Sequence, residues 1–358
     1  MNLATDMRSL DQRVSELDPL RFSEHIDEVP GLNEDADMGG LERLARALLD
    51  RVPEAVTDEE TASAALRDLG FVLASIERHG MDHRSLPGAE ETLLKLGGLV
   101  DEVPRDSVYT YALRNPGNAL RTFTGIPQEV LFIEEVRRAG IALRPAVDHL
   151  MAALPLPARD PLLVEHLAAA TEAFKVFADA LLTVKRNITP EVFSTRMRPY
   201  FPPMTVGGTV LYAPGGAQMT PLLVDMAVLR PEPGDPRQKW YEQYLDENLL
   251  YLPAAYRAAG DTILTYRPLL PRLLDEATGD ATAPVLAQLR LLMREILHFR
   301  LPHLQLARAN MRIRPDGSLG SGGYTTDSLD HLVELTTERH QRLSDAFAAA
   351  PPLDHATA

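Results

Sequence analysis

Between Phe299 and Ala307 the chain reads Phe-Arg-Leu-Pro-His-Leu-Gln-Leu-Ala, placing an imidazole, His303, and a guanidinium, Arg300, within one turn of a helix. Upstream, Val285, Leu289, Leu292, Ile296 and Phe299 lead into His303 and Leu306 at three- and four-residue steps, so one helix face carries apolar side chains with a single imidazole among them. A buried imidazole of this kind can serve as the axial ligand of a haem iron, and a guanidinium one turn away can reach a carboxylate on the cofactor's rim. Pro302 removes a backbone donor and crowds the preceding turn, which predicts a helix bent or loosened just before His303. On these residues alone, a hydrogen-bonded core histidine beside a surface arginine is the commoner source of the same pattern.

Other chemistry-bearing residues are sparser. Glycine clusters occur at Gly207-Gly208, Gly215-Gly216 and Gly320 to Gly323. Gly320-Ser-Gly-Gly-Tyr-Thr lacks the third glycine of a dinucleotide fingerprint and follows no strand, so these are simple turns or places where backbone approaches a flat ligand closely. His298 and His303 lie five residues apart and point about 140° away from each other on a helix, which rules out a shared small metal ion. His79 and His83 have i, i+4 spacing, but Gly80 between them predicts a loop. No nucleophile elbow accompanies any serine, so a hydrolase finds no support. Phe193 and Arg198, also five apart, can flank one ligand only if their helix is short or bent; otherwise Phe193 is core and Arg198 is surface.

The elements that must position these groups are helical. Apolar residues recur with helical period over 41–49, 62–76, 91–99, 130–154, 162–184, 222–229, 241–257, 284–308 and 328–347. Strand alternation is confined to Met204–Tyr212, where β-branched residues flank Gly207-Gly208, and a short hairpin or extended loop is expected. Prolines punctuate the segments rather than forming a tract. The chain is therefore expected to be all-α, with a small helical part at 1–105 and a larger one at 106–358, divided by the punctuation between Glu102 and Pro116.

With 51 acidic against 36 basic residues the formal charge is −15, a field that repels nucleic-acid backbones and anionic membranes and suits a small neutral or zwitterionic partner. Zero cysteines exclude disulfides, thiolate-ligated haem, covalent haem attachment through cysteine and iron–sulfur clusters together. No apolar run reaches the roughly 18 residues a membrane span needs, and residues 1–20 lack a basic start with an apolar block, so a cytoplasmic location is expected.

Several segments, taken together and in order, resemble the haem-dependent family of monodechloroaminopyrrolnitrin synthase, a branch of the indoleamine 2,3-dioxygenase-like superfamily. They include Pro30-Gly-Leu-Asn33, Arg67-Asp-Leu-Gly-Phe71, Thr124-Gly-Ile-Pro127, Thr189-Pro-Glu-Val-Phe193, Arg198-Pro-Tyr200, Pro214-Gly-Gly-Ala217, Leu252-Pro-Ala-Ala-Tyr-Arg257, Phe299-Arg-Leu-Pro-His303 and Gly320-Ser-Gly-Gly-Tyr324. The resemblance implies a helical dioxygenase-like fold and haem b, with His303 on the iron and Arg300 at a propionate. It places Gly215, Gly216, Ala217, Gly322 and Gly323 against the cofactor. Phe193 is implied to pack the substrate ring and Arg198 to pair with its carboxylate. Ser321 is implied to lie in the loop that closes over the substrate and Tyr324 to be a further substrate contact, and Phe132 is a candidate for the distal side and for substrate binding. The implied reaction is oxidative transformation of tryptophan or a substituted tryptophan in secondary metabolism, with O2 or peroxide. A haem-dependent hydroxylase of tyrosine or another phenol, and a non-catalytic carrier of haem or an aromatic ligand, are the alternatives. The chain departs from the tryptophan-processing members after Tyr324, where Thr325-Thr326-Asp327 brings a carboxylate to the expected closing loop.

Overall fold

Side chains that satisfy exposed backbone amides set the ends of many helices. Asp58 accepts from the Thr61 amide while Thr61 reciprocates, opening a helix that stays buried from Ala62 to Ile76. Asp160 caps the amide of Leu162 and Pro161 occupies the first turn of another long helix, which ends just before Thr189-Pro190. The computed structural model describes residues 2–213, 215, 220–277, 280–313 and 319–349.

In chain order the helices begin with α1 (Leu3–Glu16), α2 (Val29–Glu34), α3 (Met38–Ala55), α4 (Glu59–Arg78), α5 (Ala89–Val100) and α6 (Val108–Leu113). The long pair α7 (Pro127–Ala153) and α8 (Pro161–Asn187) follows, then the single turn α9 (Pro190–Val192). After the strands β1 (Met204–Val206) and β2 (Thr209–Leu211) come α10 (Thr220–Val228), α11 (Gln238–Leu249), α12 (Ala254–Leu264), α13 (Leu269–Glu276), α14 (Ala283–Ile313) and α15 (Asp327–Ala349). The all-α expectation is met. The hairpin pairs Val206 with Thr209 across Gly207 and Gly208, whose φ angles of 59° and 78° suit a two-residue turn that residues with a β-carbon resist.

Three details differ from the sequence reading. The segment 241–257 is two helices, because Tyr251 and Leu252 leave the helix and Pro253 caps α12. Helices α1, α2, α6 and α13 form where none was expected. Pro302 lies inside α14 without interrupting it.

Among the described residues two large apolar cores result, with a small third cluster of Val184, Ile188 and Met197. One gathers around α3, α4 and α5 and takes in Tyr200, Phe201 and the hairpin. The other is built on α7, α8, α10, α12 and α14, and it also receives Leu3 and Met7 of α1. Between them run fully buried arginines whose carboxylate partners lie far away in the chain. Arg114 and Arg144 both bond to Asp11, and Arg121 bonds to Asp68. Helix α8 packs against both α7 and α14, so α7 and α14 flank it and face one space.

Candidate functional site

That space is a cavity of about 290 Å³, close to the lower end of the ~300–1,000 Å³ usual for sites that enclose a small ligand. Its α7 wall is formed by Phe132, Val136, Ala139 and Gly140, and its α8 wall by Phe177, Ala180, Leu181 and Val184. Alanines and a glycine at successive turns leave room where larger side chains would meet. Gly140 has no spare space of its own, since a β-carbon there would lie 3.0 Å from Leu113. The α14 wall presents Phe299, Arg300, His303, Leu306 and Ala307, the stripe expected from the spacing.

His303 is half-buried, and it lines the cavity. Its ring lies 5.2 Å from that of Phe299 at 23°, and Phe299 in turn packs against Phe177 at 4.6 Å, so the imidazole plane is held from behind. Burial, helped by the nearby Arg300 guanidinium, pushes its pKa down from 6.5 to about 4. The imidazole is therefore neutral at physiological pH, the form with a lone pair for a metal. His298 projects to solvent and bonds to Glu295 at 3.0 Å, as its five-residue offset from His303 requires.

Arg300 is buried and lines the cavity. It donates to the Leu332 carbonyl at 3.1 Å, to Thr336 Oγ1 and to Asp225 Oδ2. Burial pushes the Asp225 carboxyl up to about 6, the guanidinium pulling the other way without cancelling it. Asp225 was missed at the level of sequence. Its signal was present, because it is the one charged residue in the otherwise apolar run of α10, where a carboxylate needs a partner.

Phe193 to Met197 form a single π-helical turn in which the Arg198 amide donates to the Phe193 carbonyl. This resolves the spacing problem. Five residues span about 500° in an α-helix, which separates two side chains by about 140°, whereas a turn closed by a five-residue hydrogen bond brings them onto one face. Phe193 and Arg198 both line the cavity. The Phe193 ring lies 5.8 Å from Phe132 on α7, so the two predicted ring contacts meet. Ser194 Oγ donates to the Asn310 carbonyl at 3.0 Å, fixing the π turn against α14 two turns beyond His303. Arg198 is 7% exposed and donates to the carbonyls of Phe201 and Leu319.

Leu319 begins the glycine loop, and that loop is fastened at further points. The Gly320 amide donates to the Tyr324 carbonyl at 2.8 Å and the Gly323 amide to the Gly320 carbonyl at 3.0 Å. Gly323 has φ +83°, and a β-carbon there would fall 2.7 Å from the Tyr212 ring. Tyr324 lines the cavity, but its hydroxyl donates to Glu247 and accepts from Asn248, both at 2.8 Å. Only its ring is left to meet a ligand. Ser321 and Gly322 line the cavity, and Ser321 Oγ lies 3.7 Å from where a Gly215 β-carbon would stand, so the two glycine segments meet there. Gly323 supports the loop from behind and does not line the cavity. Gly216 and Ala217 lie outside the described residues. Asp327, expected to bring a carboxylate to the closing loop, is instead an exposed first residue of α15 and is not part of the cavity wall; a negative charge there complements the helix terminus.

His79 ends α4, and His83 is buried against Glu77 at 2.6 Å. Glu77, Asp82 and His83 offer ligand atoms within 4.8 Å of one another, but Asp82 is taken by Arg84 and Glu77 by the His83 amide and ring, a self-contained turn network.

The residues present fit a haem: a neutral imidazole with no hydrogen bond to a described residue, apolar walls, a buried guanidinium one turn from the imidazole and glycine backbone at the rim. No described helix is long and apolar enough to cross a membrane. Residues 5–350 match the family model for monodechloroaminopyrrolnitrin synthase PrnB, and the chain belongs to this family of haem-dependent enzymes that transform tryptophan oxidatively in secondary metabolism.

Proposed function

We propose that His303 holds the haem iron, and that Arg198 and Phe193 hold the substrate on the cavity wall formed by the π turn. The observation that carries this reading is the pairing, in one cavity, of a neutral imidazole that has no hydrogen bond to a described residue with an aromatic–guanidinium face. Bound haem supplies the iron centre at which O2 is activated. The chain's own groups do the rest. Phe299 and Phe177 fix the plane of the His303 ring. Arg300, anchored by Asp225 and Thr336, offers a propionate the guanidinium donors those contacts leave open. Arg198 exchanges the Leu319 carbonyl for the substrate carboxylate, a stronger acceptor for a guanidinium. Phe193 and Phe132 pack the indole, and the small residues of α7 and α8 give it depth. Ser321, carried over the cavity by the loop, excludes water and offers one hydroxyl to the bound amino acid.

Family membership favours tryptophan or a substituted tryptophan over a phenol, and turnover over a carrier role. The optical spectra of the ferric, ferrous and ferrous–CO forms, recorded with and without L-tryptophan and L-tyrosine, test this. The expected result is a histidine-ligated haem spectrum perturbed by tryptophan and not by tyrosine. His303→Ala should lose haem or the histidine-ligated spectrum, and an unchanged spectrum in that variant would overturn the ligand assignment. Product mass and O2 consumption then separate oxidative rearrangement from simple hydroxylation and from binding without turnover.

A further inference from the structure

A second cavity lies between α1 and α7, closed at one end by the chain after α6. Arg8 and Asp11 reach it from α1, Arg137 and Arg144 from α7, and Asn115 and Gly117 from the closing segment. Three guanidiniums and one carboxylate therefore surround it, in a chain whose formal charge is −15. The carboxylate has no capacity to spare. Asp11 Oδ1 accepts from Arg114 Nε at 3.0 Å, while Oδ2 accepts from the Tyr109 hydroxyl at 2.7 Å and from Arg144.

Arg144 is neutralised by that contact, and Arg8 and Arg137 are not. Arg137 is half-buried and donates Nε to the Ala112 carbonyl at 2.9 Å and Nη2 to the Asn115 carbonyl at 2.8 Å. These bonds cap the end of α6 and fix the guanidinium plane, but carbonyl dipoles do not discharge it. Burial accordingly lowers the Arg137 pKa, with Glu134 opposing at a distance. Arg8 forms no hydrogen bond or ion pair with a described residue, and it stands on the same face of α1 as Asp11. Two cations with open donors thus converge on a polar cleft beside a saturated carboxylate. Planar forks in that arrangement favour an acceptor with several oxygens.

We propose that the cleft between α1 and α7 binds a small oxyanion, phosphate or a compact carboxylate, gripped by Arg8 and Arg137. The site is separate from the haem cavity, although Leu113 lines both. The proposal does not depend on the reading of the haem cavity.

The test is isothermal titration of the full-length, haem-loaded protein with sodium phosphate at pH 7.5, ionic strength being held constant with sodium chloride. Malonate serves as the carboxylate arm. Saturable binding of one anion per chain is expected, weakened about tenfold in Arg8→Gln by loss of one charge-assisted contact and further in Arg137→Gln. Arg8 is exposed, so its variant keeps the fold and leaves the test decisive even if loss of the α6 cap destabilises the Arg137 variant. Arg137→Lys, which keeps charge but not the fork, should fall between wild type and Arg137→Gln. Binding of malonate without phosphate would support the site and assign it to a carboxylate. Heats indistinguishable from chloride dilution for both anions, or affinities unchanged in Arg8→Gln, would overturn it.

Discussion

Truncating Arg198 to alanine should separate recognition of the amino acid from recognition of the ring. The guanidinium is 7% exposed, so a carboxylate reaching it trades water for a charge-assisted contact in a poorly solvated place. Hydrogen bonds to charged groups contribute about 1.5–3 kcal/mol, which corresponds to roughly 10- to 150-fold in Kd. The same truncation removes a donor from the Phe201 and Leu319 carbonyls. Leu319 is exposed and its carbonyl can turn to water, whereas Phe201 is buried, so a global cost of about 1–3 kcal/mol is expected from that one orphaned acceptor. The assay is titration of the haem absorption band with L-tryptophan and with 3-methylindole, which keeps the ring and lacks the carboxylate. Arg198→Ala should lose the full factor for tryptophan and change 3-methylindole less than threefold, while the urea midpoint falls modestly. Equal losses for both ligands would mean that Arg198 only shapes the cavity, and no loss for tryptophan would refute the pairing.

Gly323→Ala adds a left-handed backbone cost of about 1–2 kcal/mol to a clash with the Tyr212 ring that costs about 1–3 kcal/mol to relieve. The loop can release that strain by opening locally, so tryptophan affinity should fall while the urea midpoint moves little; unchanged affinity would show that the loop conformation is irrelevant to binding. Deleting Thr195, which is exposed, would leave Phe193 and the guanidinium four residues apart, an α-helical spacing that keeps them on one face. Tryptophan titration should show binding within a few-fold of wild type, whereas an alanine inserted after Thr195 should abolish it. His149 and His166 share an Nδ1···Nδ1 hydrogen bond of 3.0 Å between α7 and α8. Burial first, and His166 second, lower the His149 pKa below 6.5. The unfolded chain therefore binds more protons there, and stability should be lost as pH falls below 6.5. His166→Gln should flatten the fall in unfolding temperature between pH 7 and 5, and an unaltered slope would remove this pair from the account.

Much of the fold was legible because helical period survives wherever one face meets a core. The stripe from Val285 to Leu306 gave both α14 and the inward direction of His303 without any knowledge of neighbours. Helix α1 escaped notice because Leu3 and Met7, both buried, are set among charged residues and reach a core made by distant segments. The break at Pro253 was hidden because apolar residues continue through it. The relation of Phe193 to Arg198 was recognised as a problem of geometry, but a π turn leaves no clear mark in composition. Partners of buried arginines were the least accessible information. Arg144 and Asp11 are separated by 133 residues, and Arg300 and Asp225 by 75, and nothing local to one residue names the other.

The attachment of α1 also has a consequence for the order of events during synthesis. The amides of Leu3 and Ala4 donate to Asp148, each at 2.8 Å, and Asp11 waits for Tyr109, Arg114 and Arg144. Arg144 is itself bonded to the Tyr256 hydroxyl at 2.9 Å. A ribosome adding about 5–20 residues per second needs roughly 12–49 s to go from Asp11 to that tyrosine. Until α7 is made, α1 lacks the surface that holds its N-terminal amides, and until α12 is made it lacks the tyrosine that fixes Arg144 against Asp11. Nascent-chain protection by a chaperone should therefore be felt at α1, whose anchoring contacts close only after the distant segments that supply them are made.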